Sequence, residues 1–309
     1  MRSIISTTAL LLLLVPLSGV LSQEPRLSYH LDPGMRCTLD IDIQQNTRSE
    51  SDYSEDINMY CRMKIDFKVD SIDAYGLIHL SVRYRDLLLS MLAPGLGLDI
   101  NSGSGRNPVL AGLVDTLQRQ VFRVSMDASG ELNTLQGLDR IFGTMASCPN
   151  AAPDEREVIL NTLNEAYGPN AFRGLFNLFV AYFPAIQPIR NWTRDMTFYF
   201  NTKPVQMANR YYLNRTSGDL MIIQGMGMLN SAEPLIEDVP LGKVESSVSG
   251  SQTYDLQVFR NTGWLAKAVS RQRVLIETTV LESEHLPRGL RIPSYTETVF
   301  EVKGKVAEP

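Results

Sequence analysis

The chain has 309 residues, with 34 acidic and 29 basic side chains and a net charge of −5. That balance excludes a broadly basic nucleic-acid binder. The length suffices to bury a sizeable core, as one large domain or two joined lobes.

Residues 1–22 read as a cleaved export signal: a short basic start at Met1-Arg2-Ser3, an apolar run from Ile4 to Val15, and a small-residue processing region from Pro16 to Ser22. Val20 and Ser22 suit the −3 and −1 positions, so the cut falls after Ser22. Loss of Arg2 then takes the net charge from −5 to −6. The apolar run, about twelve residues, is short of a membrane span, and no later run of about 18 apolar residues exists. Leu17-Ser18-Gly19 approaches a bacterial lipoprotein box, but Val20 stands where the lipidated cysteine belongs. The expectation is an exported protein, periplasmic or secreted, with no transmembrane segment after cleavage.

Residues 23–137 read as an N-terminal β lobe. Cys37 to Ile43 and Cys61 to Val69 alternate strictly, as half-buried strands do, with each cysteine on the apolar face. The two form a hairpin, and a turn centred near Arg48-Ser49-Glu50 places Cys37 opposite Cys61. A disulfide there, permitted by export, and a pair of buried free thiols both stay open; Cys148 has no evident partner. Gly76 to Leu89 is the longest strand pattern, Ala93 to Asn107 a flexible connection, and Gln120 to Asp127 a strand closed by the tight turn Asp127-Ala128-Ser129-Gly130.

Residues 138–187 form a helical segment. Helices are expected over Leu138 to Ala146, Asp154 to Ala166 and the very apolar Ala171 to Phe183, which Pro184 ends. Residues 188–309 return to strand as a C-terminal β lobe, clearest at Asp195–Asn201, Asp219–Leu229, Tyr254–Phe259, Val274–Leu281 and Tyr295–Val302. The turn at Asn261-Thr262-Gly263 repeats the logic of Ser129-Gly130, so a duplication of the β lobe stays open.

The search for chemistry returns little. The three histidines, His30, His79 and His285, fit no metal spacing. No G-x-S-x-G surrounds a serine, and Gly95-Leu96-Gly97 lacks the third glycine and following helix of a phosphate loop. Glu50, Asp52, Glu55 and Asp56 miss the rhythm of a calcium loop and read as a solvated turn. No catalytic residue, metal site or cofactor is expected. The sharpest feature is the face made by Phe172, Leu175, Phe176, Phe179, Tyr182 and Phe183. One reading is a helix closing the concave side of a sheet. The other is a lid over a cavity for an acyl chain, where each buried methylene gains about 0.8 kcal/mol without a polar motif.

Four stretches resemble an uncharacterised family of exported Bacteroidota-type envelope proteins and lipoproteins, a domain of unknown function. They are Tyr75-Gly76-Leu77-Ile78-His79-Leu80-Ser81-Val82-Arg83-Tyr84, then Val121 to Leu132 leading to Leu135-Gln136-Gly137, then Phe183-Pro184 to Pro188-Ile189 with Trp192, and Tyr254-Asp255-Leu256 leading to Asn261-Thr262-Gly263-Trp264. The resemblance implies a layout similar to half-barrel periplasmic lipoprotein carriers, in which a curved sheet wraps helices around an apolar cavity. It carries over no catalytic residue.

Together these readings give an α+β fold: a curved antiparallel sheet, or two β lobes, packed on a central helical segment. The expected function is a non-enzymatic envelope protein binding a lipid, a lipidated partner or another apolar ligand, peripherally associated at most. A structural or protein-interaction module is the alternative.

Overall fold

The computed structural model describes residues 26–49, 56–93, 98–101, 108–146, 153–186, 190–200, 203–231, 233–239 and 242–307. Within these, side-chain alternation becomes strand wherever it is sustained. From Cys37 to Ile43 every second residue is buried, and the same holds from Cys61 to Val69, which is the signature of a sheet with one covered face.

The N-terminal half supplies β1 (Arg36–Ser49), β2 (Ile57–Ile72), β3 (Ile78–Ala93), the short β4 (Leu98–Asn101), α1 (Pro108–Arg119), β5 (Phe122–Met126) and β6 (Leu132–Gln136). Three helices follow: α2 (Leu138–Ala146), α3 (Pro153–Tyr167) and α4 (Pro169–Phe179). The chain then returns to strand in β7 (Asn191–Phe200), β8 (Lys203–Ser217), β9 (Leu220–Asn230), β10 (Leu235–Val239), β11 (Gly242–Phe259), β12 (Leu265–Glu282) and β13 (Arg291–Ala307). All thirteen strands belong to one antiparallel sheet, in the order β6-β5-β3-β2-β1-β13-β12-β11-β9-β8-β7, with β4 on β3 and β10 on β11.

This overturns the expected α+β packing on a central helix. The two strand-rich halves are not lobes flanking a helical block; β1 and β13 pair along fourteen positions, from Arg36↔Ala307 to Ser49↔Ser294, and fuse them into one open sheet. Strand dominates because the pattern runs further than local reading follows it. β8 occupies a stretch where Asn209, Arg210 and Asn214 interrupt the apolar rhythm, and β11, β12 and β13 are 17 or 18 residues long. The helices are short insertions lying on the concave face. Phe172 of α4 packs edge-on against Phe122 of β5 at 5.0 Å, and Phe179 lies 5.7 Å from Phe300 of β13.

Of the two readings left open for Cys37 and Cys61, a disulfide or a pair of buried free thiols, the structure has the second. Cys37 pairs with Phe67 and Cys61 with Ile43, so the hairpin is centred about three residues beyond the expected turn. A shift of three in the centre moves the register by six, which separates the cysteines by about 20 Å along the strands. Both are buried free thiols. The export signal with Val20, the carboxylates Glu50, Asp52 and Glu55, and Cys148 lie outside the described residues.

One end of the curved sheet is closed. The segment Leu27–Leu31 crosses it, Tyr29 N–H donating to Ala128 O (2.8 Å) and His30 N–H to Thr262 O (2.9 Å). The two glycine turns predicted from sequence therefore sit side by side under one strap. Gly130 (φ +85°) and Gly263 (φ +73°) are required there twice over, by positive φ and because a Cβ at either would strike backbone: Val180 O for Gly130, Ser28 O for Gly263. Tyr29, Tyr182, Phe183 and Trp264 fill the space above them. The opposite end, toward the β1–β2 hairpin loop, is where the sheet and helices leave room.

Candidate ligand cavity

A cavity of about 640 Å³ lies between the concave face and the α3–α4 pair, a volume in the range of small-molecule sites. Its apolar wall comes from Ile43 and Met59 on the sheet, Leu175 and Leu178 on α4, and Phe198 and Phe300 from β7 and β13. Gly174 opens the contact between α4 and β7: a Cβ placed there would meet the Phe198 ring only at 3.8 Å, ordinary van der Waals contact.

The same cavity has a polar stripe, and strand pairing builds it. One level of the sheet reads Asn209↔Gly227↔Gln252↔Gln272↔Thr298↔Gln45↔Met59 across seven strands. Gln45, Gln272 and Thr298 of that row line the cavity, faced by Asn161, Asn164 and Asn170 on the helices. The two buried members away from the cavity are satisfied internally: Tyr254 Oη–H donates to Asn209 Oδ1 (2.8 Å), and Gln252 Nε2–H donates to Ser270 Oγ (2.6 Å). Gln272 gives one Nε2–H to Gln252 Oε1 (3.2 Å).

Two ionisable groups line the cavity. Glu165 stands at the exposed rim, and partial desolvation raises its carboxyl above the ordinary pKa. Burial likewise pushes the Cys61 thiol up to about 11, against a partial lowering by its hydrogen bond to Tyr167 Oη at 3.4 Å. Tyr167 Oη–H in turn donates to Leu88 O (2.9 Å), and Tyr84 Oη–H to Tyr167 O (2.9 Å). A thiol held protonated in this way is poorly suited to nucleophilic chemistry. Elsewhere, His30 meets Ser28 Oγ at 3.1 Å and His79 meets Asp73 at 3.3 Å, both at exposed or half-exposed positions and apart from each other's partners. Among the described residues no three His, Cys, Asp or Glu side chains converge on a metal position.

The six residues of the sequence-predicted apolar face go to three places. Leu175 lines the cavity. Phe172, Phe176 and Phe179 are at most 2% exposed and pack into the core. Tyr182 and Phe183 lie past the end of α4 and plug the closed end, Tyr182 Oη–H donating to Gly263 O (2.7 Å) and Trp192 Nε1–H to Tyr182 O (2.8 Å). Sequence reasoning missed Gln45, Gln272, Thr298 and Gly174. A usable signal existed for Gln45 and Thr298, polar residues on the in-facing register of strands that also carry Ile43, Phe300 and Val302; Gln272 follows the buried polar Ser270 on β12 and has no such contrast.

The architecture defines a class: an open antiparallel cradle, plugged at one end, with a cavity between sheet and helices. The chain belongs to the family of unknown function DUF6263, whose profile matches residues 75–265. A search of the curated proteins gives no match. Among solved structures, one described as lipid–protein interactions in lipovitellin is similar in fold, with TM-score 0.53 and 11% identity over 90% of this chain. The chain spans 26% of that protein. A BenF-like porin from Pseudomonas fluorescens Pf-5 is paired at 8% identity over 90% of this chain and 100% of its own, but a TM-score of 0.20 carries no argument. No helix among the described residues is long and apolar enough to cross a membrane.

Proposed function

We propose that the protein is an exported, non-enzymatic envelope protein that holds a lipid, or the lipid of a lipidated partner, in the cavity between its sheet and α3–α4. The observation that carries this reading is the cavity's two-sided lining: an apolar wall from Ile43, Leu175, Leu178, Phe198 and Phe300, and a polar row of Gln45, Gln272 and Thr298. Such a lining suits an amphipathic occupant, with apolar area supplying affinity and a few polar groups setting orientation. The leader-like start at Met1–Ser22 supports export. The lipovitellin likeness supports a lipid role at the level of fold alone, and fold does not fix function.

A second reading, a structural module with no small ligand, is favoured by the full burial of Phe172, Phe176 and Phe179, which makes most of α4's aromatic face ordinary core. Native mass spectrometry separates the two. The full chain is expressed with its own leader, recovered after export without detergent, and extracted for lipid. The carrier reading expects a stoichiometric bound mass that disappears in Gly174→Leu, whose side chain extends from an open helix position into the cavity. A clean apo spectrum, with no uptake of offered lipid, moves the assignment to the structural module.

A further inference from the structure

We infer that the cavity selects an uncharged, hydrogen-bonding head group on its apolar ligand, a glyceryl or glycosyl head in preference to a carboxylate, phosphate or ammonium. This rests on the cavity reading above and goes further by naming the chemistry of the polar end. Three observations carry it.

The first is the kind of polar group present. The sheet contributes two amides and a hydroxyl, and the helices contribute Asn161, Asn164 and Asn170. Amides offer donors and acceptors together, which matches hydroxyls, since each hydroxyl both gives and receives. An ionised head needs groups of a single kind.

The second is unspent capacity. Among the described residues Gln272 commits one N–H to Gln252, and its carbonyl oxygen and other N–H are left for the cavity. Gln45 and Thr298 make no side-chain hydrogen bond there, although Thr298 is 4% exposed. By contrast Asn209 and Gln252, in the same row but outside the cavity, are paired within the sheet. Gln45 and Gln272 are half-buried, so their free donors and acceptors face water that a hydroxylated head group can replace.

The third is the missing cation. No Lys, Arg or His is found among the described lining residues, and the one carboxylate is Glu165. A phosphate or carboxylate taken into this space would lose hydration with no positive partner among the described lining residues. An ammonium head would meet only Glu165, exposed on the α3 side of the cavity, where an ion pair contributes little.

The test uses five probes with one decyl chain and different heads, each below its micellar concentration: decanoyl glycerol, decyl maltoside, decanoate, decyl phosphate and decyltrimethylammonium. Binding is measured by calorimetry on delipidated full-length protein. The expected result is that the two nonionic probes bind at least tenfold tighter than the three ionic ones. Gln45→Leu and Thr298→Val, close in volume to the residues they replace and checked for fold by circular dichroism, are expected to reduce that margin to less than threefold. Equal binding of all heads, tighter binding of an ionic probe, or an undiminished margin in both folded variants overturns the head-group inference and leaves the cavity reading standing. Failure of every decyl probe to bind overturns both.

Discussion

Arg194 on β7 holds the two arms of the sheet together at the closed end, and its loss has a magnitude that follows from its bonds. The side chain is 11% exposed. Its Nη1 donates to Phe183 O at 2.5 Å and to Ser129 Oγ at 2.9 Å, and Nη2 faces Glu131 Oε2 at 3.3 Å. Strand β7 is one edge of the sheet, and Ser129 and Glu131 belong to the turn joining β5 to β6, the other edge. Hydrogen bonds from a charged donor contribute about 1.5–3 kcal/mol each, and removal strands the buried Phe183 carbonyl. The Glu131 carboxylate is 66% exposed, so that pair adds only about 0–1 kcal/mol. Replacement by Met keeps much of the aliphatic stem, so Arg194→Met is expected to cost about 2–4 kcal/mol, whereas Glu131→Gln costs under about 1 kcal/mol. Urea unfolding gives both numbers. Hydrogen exchange should show faster opening of Asn191–Phe200 and of the β5–β6 turn in the Met variant, with β1 and β13 unchanged. A loss for Arg194→Met within 0.5 kcal/mol of zero, or an equal loss for Glu131→Gln, would refute the view that buried bonds at this arginine tie the edges.

Two further expectations concern the core. Phe179 is fully buried against Phe300, so Phe179→Ala should cost about 3–5 kcal/mol in denaturant unfolding; a cost below about 1 kcal/mol would mean that α4 is not seated on the sheet. Cys37 and Cys61 have folded pKa values raised by burial from 9.0 to about 12 and about 11. Between these limits the unfolded chain has lost protons that the folded chain keeps. Their contribution to stability is therefore fully present below about pH 9 and is lost as pH rises through 11 to 12. Native protein at pH 8 should resist iodoacetamide at both thiols and react fully once denatured, and urea midpoints should fall above pH 9. Rapid native labelling at either position would contradict the burial.

Much of the fold was legible where the physics is local. Strict alternation marked the buried faces of β1 and β2 before any pairing was known. The boundaries of α2 and α3, and the glycine turns at Gly130 and Gly263, follow from apolar periodicity and positive φ. Helix α1 was also readable and passed over: Pro108 opens it, and Leu110, Leu113, Val114 and Leu117 are buried at helical spacing. Hairpin register was not local. It depended on where the turn between β1 and β2 falls, and three residues of error there turned two distant thiols into apparent partners. The joining of the halves was not local either, since nothing within Arg36–Ser49 or Arg291–Ala307 alone announces that the first and last strands pair.

The cavity shows why a site can be invisible along a chain while every contributing residue is in plain sight. The apolar face of α4 drew attention because its spacing repeats within eleven residues, yet most of that face is core, as repeated spacing in a helix usually is. The polar row is assembled from positions 45, 209, 252, 272 and 298, which no window of sequence holds together. Burial does not mark its useful members, because Gln45 and Gln272 are only half-buried, whereas the buried Asn209 and Gln252 serve only the sheet. Bonding separates them. A polar side chain whose capacity is consumed by neighbours stabilises the fold, whereas Gln45, Gln272 and Thr298 keep theirs facing a cavity. That difference, and not hydrophobic periodicity, is why the site is placed at the sheet's polar row and not at the aromatic face of α4.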